Sequence, residues 1–68
     1  MIRNELHAQL SAKRQRIEYV GLWNDGQRFE FRDPVTGGNL TVHRSKDLRL
    51  HIIMHRIKFE AMAPRARA

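Results

Sequence analysis

The middle of the chain alternates between apolar and charged residues, which predicts β-strands. The alternation has no exception over 28–32, and it returns over 39–43 with Leu40 and Val42 on one side. A period of two is typical of a strand with one buried face. The segment 17–23 is rich in β-branched and aromatic residues and predicts a further strand before these two.

Turn sequences separate the three predicted strands. The Asn-Asp-Gly sequence at 24–26 suits the positive φ angles of a tight hairpin. In the segment 33–38, Pro34 fixes its own φ angle, and the paired glycines permit the positive φ angle that a turn can require. Because both connections are short, the strands are predicted to pair as an antiparallel meander.

An amphipathic helix is predicted before the strands, from Asn4 to about Arg16. Leu6 and Leu10 lie one turn apart, with Ile2 a further turn back, and together they would form its buried stripe. The other faces carry basic side chains that either contact phosphate or simply face solvent: Arg3, Arg14 and Arg16.

A second helix is predicted after the strands, with Ser45 as its N-cap and its end near Met62, before Pro64. One apolar side would cover the sheet: Leu48, Ile52, Phe59 and Met62. The opposite side is also apolar: Leu50, Ile53, Met54 and Ile57. That second side could hold the first helix, or the same helix of another subunit in a homodimer. The fold class is therefore α+β, with the order α-β-β-β-α, as a single small domain over 1–63 followed by a short basic tail, 64–68.

Charge gives the first indication of function. The 68 residues include 13 Lys and Arg against 7 Asp and Glu, a formal charge of +6, spread along the chain. Such a charge attracts polyanions, so nucleic acid is the expected partner, with DNA favoured over RNA; an acidic protein surface and a purely solubilising charge are the alternatives. The chain has no Cys and no apolar run near the roughly 18 residues of a membrane span, so we expect a cytoplasmic protein.

One face of the predicted sheet would combine rings and cations. Alternation directs one set towards the helices: Val20, Leu22, Phe29, Phe31, Leu40 and Val42. Aromatic rings stack on bases, and arginines bind guanine edges or phosphate. The predicted nucleic-acid site, with its last three members anchoring the backbone, is Tyr19, Trp23, Arg28, Arg32, Thr41, His43, Arg44, Lys46 and Arg49. The alternative is that Tyr19 and Trp23 fill the core and the charged residues of the strands only face solvent.

The two turn sequences also resemble a known family. Asn-Asp-Gly at 24–26, followed by Phe-Arg-Asp-Pro-Val-Thr-Gly-Gly at 31–38 and a strand leading into a helix, is similar to the N-terminal arm-binding domain of lambda-type tyrosine integrases. The resemblance covers about Tyr19 to Phe59. It implies a sheet that enters the DNA major groove, with Arg28 and Arg32 in direct contact. The element order also matches the double-stranded-RNA-binding domain, which uses one helix, a loop and the start of its last helix.

Catalytic and metal chemistry find little support in the sequence. His51 and His55 have the i, i+4 spacing of a shared zinc ion, but two ligands do not complete a site, and the Glu of the zincin motif is absent. Ser11 and Ser45 are interpreted as structural. We expect no metal, no cofactor and no enzymatic activity. The leading hypothesis is a regulatory nucleic-acid-binding protein of phage or mobile-element type, and the alternative is a small inhibitor or regulator that docks on a host protein.

Overall fold

The fold is a three-stranded antiparallel sheet with a helix before and after it. A computed structural model describes residues 1–62. The elements are α1 (Glu5–Arg14), β1 (Glu18–Leu22), β2 (Arg28–Asp33), β3 (Gly38–His43) and α2 (Leu48–Met62). The strand order is β1-β2-β3. The predicted α-β-β-β-α architecture is confirmed, whereas the predicted tail, 64–68, lies outside the described residues.

Both helices contribute to one hydrophobic core on one face of the sheet. Its buried members are Ile2, Ala8, Ala12, Ile17, Phe29, Phe31, Leu40, Val42, Leu48 and Ile52. Phe29, Phe31 and Val42 are almost fully enclosed. The inward residues predicted for β2 and β3 are therefore confirmed. On α2, Leu48 and Ile52 are buried as predicted, but Phe59 is 46% exposed and Met62 is 81% exposed, so the predicted cover of the sheet by these two is wrong. The core depends on a few large side chains, as expected for a domain this short.

The helix α1 packs on the sheet through alanines, and its predicted stripe is wrong. Ala8 and Ala12 are buried, whereas Leu6 is 65% exposed and Leu10 is 51% exposed. At 100° per residue these pairs lie on opposite sides of the helix. Small side chains let the helix backbone approach the sheet closely, so there is no room for leucines on that side. The expected burial of Ile2 is confirmed.

The strand β1 contains an irregularity, and the side chains before it point to the opposite face from the one predicted. Tyr19 pairs with Phe31, but Gly21 pairs with Glu30, so β1 advances two residues while β2 advances one. Val20 is the extra residue of this β-bulge and is 53% exposed. The prediction that Val20 lies in the core is therefore wrong. The prediction that Tyr19 lies on the opposite face is also wrong. The Tyr19 ring packs against the core, edge-on to Phe31.

Backbone hydrogen bonds define the end of α1 in a Schellman arrangement. The N–H of Ile17 donates to the carbonyl of Ala12, and the N–H of Arg16 donates to that of Lys13. Arg16 has a φ of 60°, in the left-handed region where glycine is favoured. This reversal directs Ile17 into the core immediately before β1.

The helix α2 begins with an Asp cap and not with the predicted Ser45. The carboxylate of Asp47 accepts the N–H of Arg49 at 3.0 Å and that of Leu50 at 3.5 Å. Ser45 lies earlier, where its hydroxyl oxygen is 2.8 Å from Nδ1 of His43. Asp competes well for this position because its carboxylate also interacts favourably with the positive end of the helix dipole.

A buried ion pair fixes the middle of α2 on the turn between β2 and β3. Asp33 is fully buried, and both its oxygens accept from Arg56, at 2.7 Å from Nε and 2.9 Å from Nη2. The Arg56 hydrogen bonds hold the pKa of Asp33 below its ordinary value, against the effect of burial. Next to this pair, the hydroxyl of Thr36 lies 2.7 Å from Nε2 of His55. The turn and the helix are therefore held together by polar contacts.

Candidate nucleic-acid interface

The sheet face opposite the helices, which we call the outer face, carries most of the predicted site. Trp23 is 39% exposed, and the guanidinium of Arg28 lies 4.2 Å from its ring centroid. Asp25 contacts the same guanidinium, with Oδ2 2.8 Å from Nε and 2.7 Å from Nη2. Arg28 is thus held between an aromatic ring and a carboxylate, and its charge is neutralised locally.

The other arginine of the outer face also has an acidic neighbour. Arg32 lies 3.7 Å from a carboxylate oxygen of Glu18, its cross-strand partner. Glu30, between the two arginines on β2, accepts a 2.7 Å hydrogen bond from Asn39. The two arginines therefore share the outer face with two glutamates, and Asp25 adds a third carboxylate at its edge. Their charges sum to no positive excess.

A second group of cations gathers at the other end of the core, where the N-terminal segment meets the loop between β3 and α2. The N–H of Ile2 donates to the carbonyl of Arg44 at 2.9 Å, so the segment runs beside this loop. Arg44 donates back to the carbonyl of Arg3, and also to that of Gly26 at 3.1 Å. Burial of the Ile2 side chain anchors the segment in the core.

Two shallow grooves at this end bring α1 and α2 into the same surface. They share Met1, Ile2 and His7. One groove extends to Arg14 of α1 and Arg49 of α2, and the other extends to Arg3 and Arg44. We call this surface, together with the intervening loop residue Lys46, the basic end. Its cations are Arg3, Arg14, Arg44, Lys46 and Arg49.

The cations of the basic end form no ion pairs within residues 1–62, in contrast to the arginines of the outer face. Asp47 lines the groove beside Arg14 and Arg49, but its carboxylate accepts the first N–H groups of α2 and pairs with neither side chain, so the five cations face one acid. Because guanidinium and ammonium groups without carboxylate partners bind phosphate oxygens, this surface can take a polyanion.

The structure therefore divides the predicted site residues between two surfaces. The outer face carries Trp23, Arg28, Arg32, Thr41 and His43. Arg44 and Arg49 line the grooves of the basic end, and Lys46 lies exposed in the loop between them. Tyr19 belongs to neither surface, because its ring faces the core and its hydroxyl donates to Glu5 at 2.6 Å. Burial and this carboxylate raise the pKa of Tyr19 above its ordinary value.

The predicted site does not contain His7, and for Arg3 and Arg14 the sequence predicts either phosphate contact or exposure to solvent. The missing signal was the side of α1 that faces the sheet. Once Ala8 and Ala12 are recognised as the packing side, His7 and Arg14 fall on the flank towards α2.

Residues 1–62 contain neither a metal-binding cluster nor a membrane-spanning helix. In the part of the chain that the structure describes, His, Asp and Glu side chains form no group of three suited to a metal ion. His51 and His55 instead lie near a backbone carbonyl of Asp47 and the hydroxyl of Thr36, respectively. No helix within residues 1–62 is both long and apolar enough to span a bilayer.

Comparisons with protein families, with curated proteins and with solved structures give no match to this chain. The similarity of its turns to the integrase arm-binding domain therefore stays a prediction.

Proposed function

We propose that this protein binds nucleic acid through the basic end, without catalysing a reaction on it. The observation that carries the proposal is the contrast in pairing. Four arginines from four separate segments line the two grooves, and neither they nor Lys46 form an ion pair within residues 1–62. A phosphate backbone presents repeated negative charges, and each phosphate that displaces a counterion adds to affinity at low salt.

The arrangement suits backbone contact better than base reading. Arg3 and Arg44 are tied together through the Arg3 carbonyl, and Arg49 lies at the first turn of α2. Such groups fix a protein on its nucleic acid but carry little sequence information. The expected binding is therefore strongly salt-dependent and only weakly sequence-specific.

Double-stranded DNA is the first ligand to test, because the turn sequences resemble those of a DNA-binding domain. Duplex RNA is the natural comparison, since the double-stranded-RNA-binding domain also uses a first helix and the start of a last helix. Both ligands present the same phosphate chemistry, and the experiment below separates them.

The test is a titration of the ¹⁵N-labelled protein with duplex DNA, duplex RNA and single strands, followed residue by residue by NMR. At about 50 mM salt we expect amide shifts around Arg3, His7 and Arg14 and over 44–49, with losses of affinity of about tenfold or more at about 200 mM. Shifts confined to the outer face would contradict the assigned surface. A spectrum unchanged by every nucleic acid would overturn the function.

The competing function, docking on a host protein, is favoured by a different observation. Several apolar side chains are half exposed on α2, where a protein surface could cover them. An unchanged spectrum in the titration above would make this class the better one.

A further inference from the structure

The solvent side of α2 carries an apolar stripe that the fold leaves uncovered. Its members are Leu50, Ile53, Met54 and Ile57, with exposed fractions of 54%, 46%, 48% and 57%. On a helical wheel the stripe is opposite the sheet-facing pair Leu48 and Ile52, which are buried. The core therefore does not use this side of the helix, and the apolar character of the stripe requires another explanation.

The stripe has the spacing of a helix that packs on another helix. Leu50, Met54, Ile57 and Ala61 follow one another at intervals of four, three and four residues. This is the a and d pattern of a coiled-coil seam. The residues 63–68 include no large apolar side chain that could cover the stripe.

We propose that α2 pairs with α2 of a second copy of this chain in an antiparallel homodimer. In this register Leu50 packs against Ala61 of the second copy, and Met54 packs against Ile57 of the second copy. Each large leucine then meets the smallest residue of the seam, and all four positions are filled in both copies. Antiparallel alignment also opposes the two helix dipoles favourably.

Charge selects the antiparallel arrangement over the parallel one. Parallel helices would place the two basic ends side by side, whereas antiparallel helices place them at opposite ends of the pair. Because like charges repel, the antiparallel pair is favoured.

The size of the stripe predicts a weak dimer. A single helix-to-helix contact buries less than the roughly 800 Å² per partner of a standard stable interface. We therefore expect a dimer dissociation constant of about 10 to 100 µM. The inference is independent of nucleic-acid binding, since none of the seam residues belongs to the basic end.

Disulfide trapping tests the register, because the natural chain contains no Cys. The variants Leu50→Cys and Ala61→Cys are mixed in a glutathione redox buffer. Heterodisulfides should dominate, since identical positions lie about 16 Å apart along antiparallel helices, beyond the roughly 7 Å between Cα atoms that a disulfide spans. Val35→Cys, on the exposed turn, is the control for random collision.

Homodisulfides of either variant as abundant as the heterodisulfide would contradict the antiparallel register. Cross-linking no greater than with the Val35→Cys control would contradict the dimer itself.

Sedimentation equilibrium with a matched pair of variants tests the seam separately. Ile57→Lys and Val35→Lys each replace an exposed β-branched residue by the same cation. We expect Ile57→Lys to raise the dissociation constant by about thirtyfold or more, because the lysine would be desolvated in the seam, and Val35→Lys to leave it unchanged. A wild-type protein that is monomeric at about 500 µM, or equal effects of both variants, would overturn the proposal.

Discussion

The outer face of the sheet and the basic end are built from the same types of residue but differ in what surrounds the cations. On the outer face, Arg28 is held by Asp25 and Trp23, and Arg32 faces Glu18. At the basic end the cations come from the N-terminal segment, α1, the loop before α2 and the first turn of α2, and none of them forms an ion pair within the described part of the chain. The difference lies in the position of the carboxylates.

This difference shows why the number of arginines on a surface is a poor guide to its affinity for phosphate. A carboxylate beside a guanidinium cancels much of its attraction for phosphate and repels an incoming anion, so a paired arginine adds little to affinity. A guanidinium without such a neighbour keeps its full attraction for phosphate. We therefore expect equal changes in charge at the two surfaces to change the affinity for nucleic acid unequally.

Charge reversal should give the largest effect. The Arg14→Glu and Arg49→Glu double variant is expected to lose about a hundredfold in affinity for duplex DNA at low salt, because two attractive phosphate contacts become repulsive. The Arg28→Glu and Arg32→Glu double variant changes the net charge equally and should lose less than about fivefold. Fluorescence anisotropy measures both affinities, and circular dichroism verifies folding. Equal losses would mean that only net charge matters.

Removal of the buried ion pair should give the next largest effect, on stability. Asp33→Asn is expected to lower the free energy of unfolding by about 2 kcal/mol at pH 7, since Arg56 loses its carboxylate but stays partly exposed to water. The Glu18→Gln variant, which removes an exposed partner, should change it by less than about 0.5 kcal/mol. Urea unfolding measures both values.

The same pair should give the stability a dependence on acidity. Arg56 holds the pKa of Asp33 below 3.8 in the folded protein, so the unfolded carboxyl takes up its proton first as the pH falls. The ion pair stabilises the fold fully at pH values above the pKa of Asp33 in the unfolded chain. This stabilisation is lost as the pH falls through the lower pKa of Asp33 in the folded protein. The difference in free energy of unfolding between wild type and Asp33→Asn should therefore decrease from pH 7 to about pH 2. A difference that stays constant would contradict this role.

Removing acids from the outer face should make its arginines more attractive to phosphate. The Glu18→Gln and Glu30→Gln double variant leaves Arg32 without a carboxylate partner and gives the outer face a positive excess. We expect about a fivefold gain in affinity for duplex DNA, with new amide shifts on β2 and β3. A gain without shifts on the outer face would indicate a long-range effect of net charge.

The smallest effect concerns a cation whose backbone is strained. Arg16 holds a φ of 60°, and glycine adopts this conformation at lower cost. Arg16→Gly should raise the free energy of unfolding by about 0.5 kcal/mol, because relief of strain outweighs the greater freedom of glycine in the unfolded chain. Thermal unfolding of this variant beside Arg16→Ala checks it, since alanine removes the charge and keeps the strain.

The fold was predictable wherever local chemistry and alternation agreed. The strict alternation of β2 and β3 placed Phe29, Phe31, Leu40 and Val42 correctly, and the positive φ of Gly26 lies in the predicted hairpin turn. The alternation rule does not predict the β-bulge at Val20, because a bulge arises from pairing with the neighbouring strand. Gly21, a glycine inside the predicted strand, is the local signal for it.

The candidate site was predictable in composition but not in grouping. Hydrophobicity selected Leu6 and Leu10 as the inner side of α1, whereas close packing selected Ala8 and Ala12. That choice rotates α1 and decides which basic residues meet the start of α2. Likewise, the pairing of Arg28 with Asp25 depends on the turn conformation, which residue types alone do not specify.

The slope of log K against log salt concentration distinguishes the two surfaces, because it counts the phosphates that the protein neutralises. Wild type, the Arg14→Gln and Arg49→Gln double variant, and the Arg28→Gln and Arg32→Gln double variant are compared on one duplex DNA. The account predicts that the magnitude of the slope falls by about two for the basic-end variant and stays unchanged for the outer-face variant. The opposite assignment, or equal reductions in both, would contradict it.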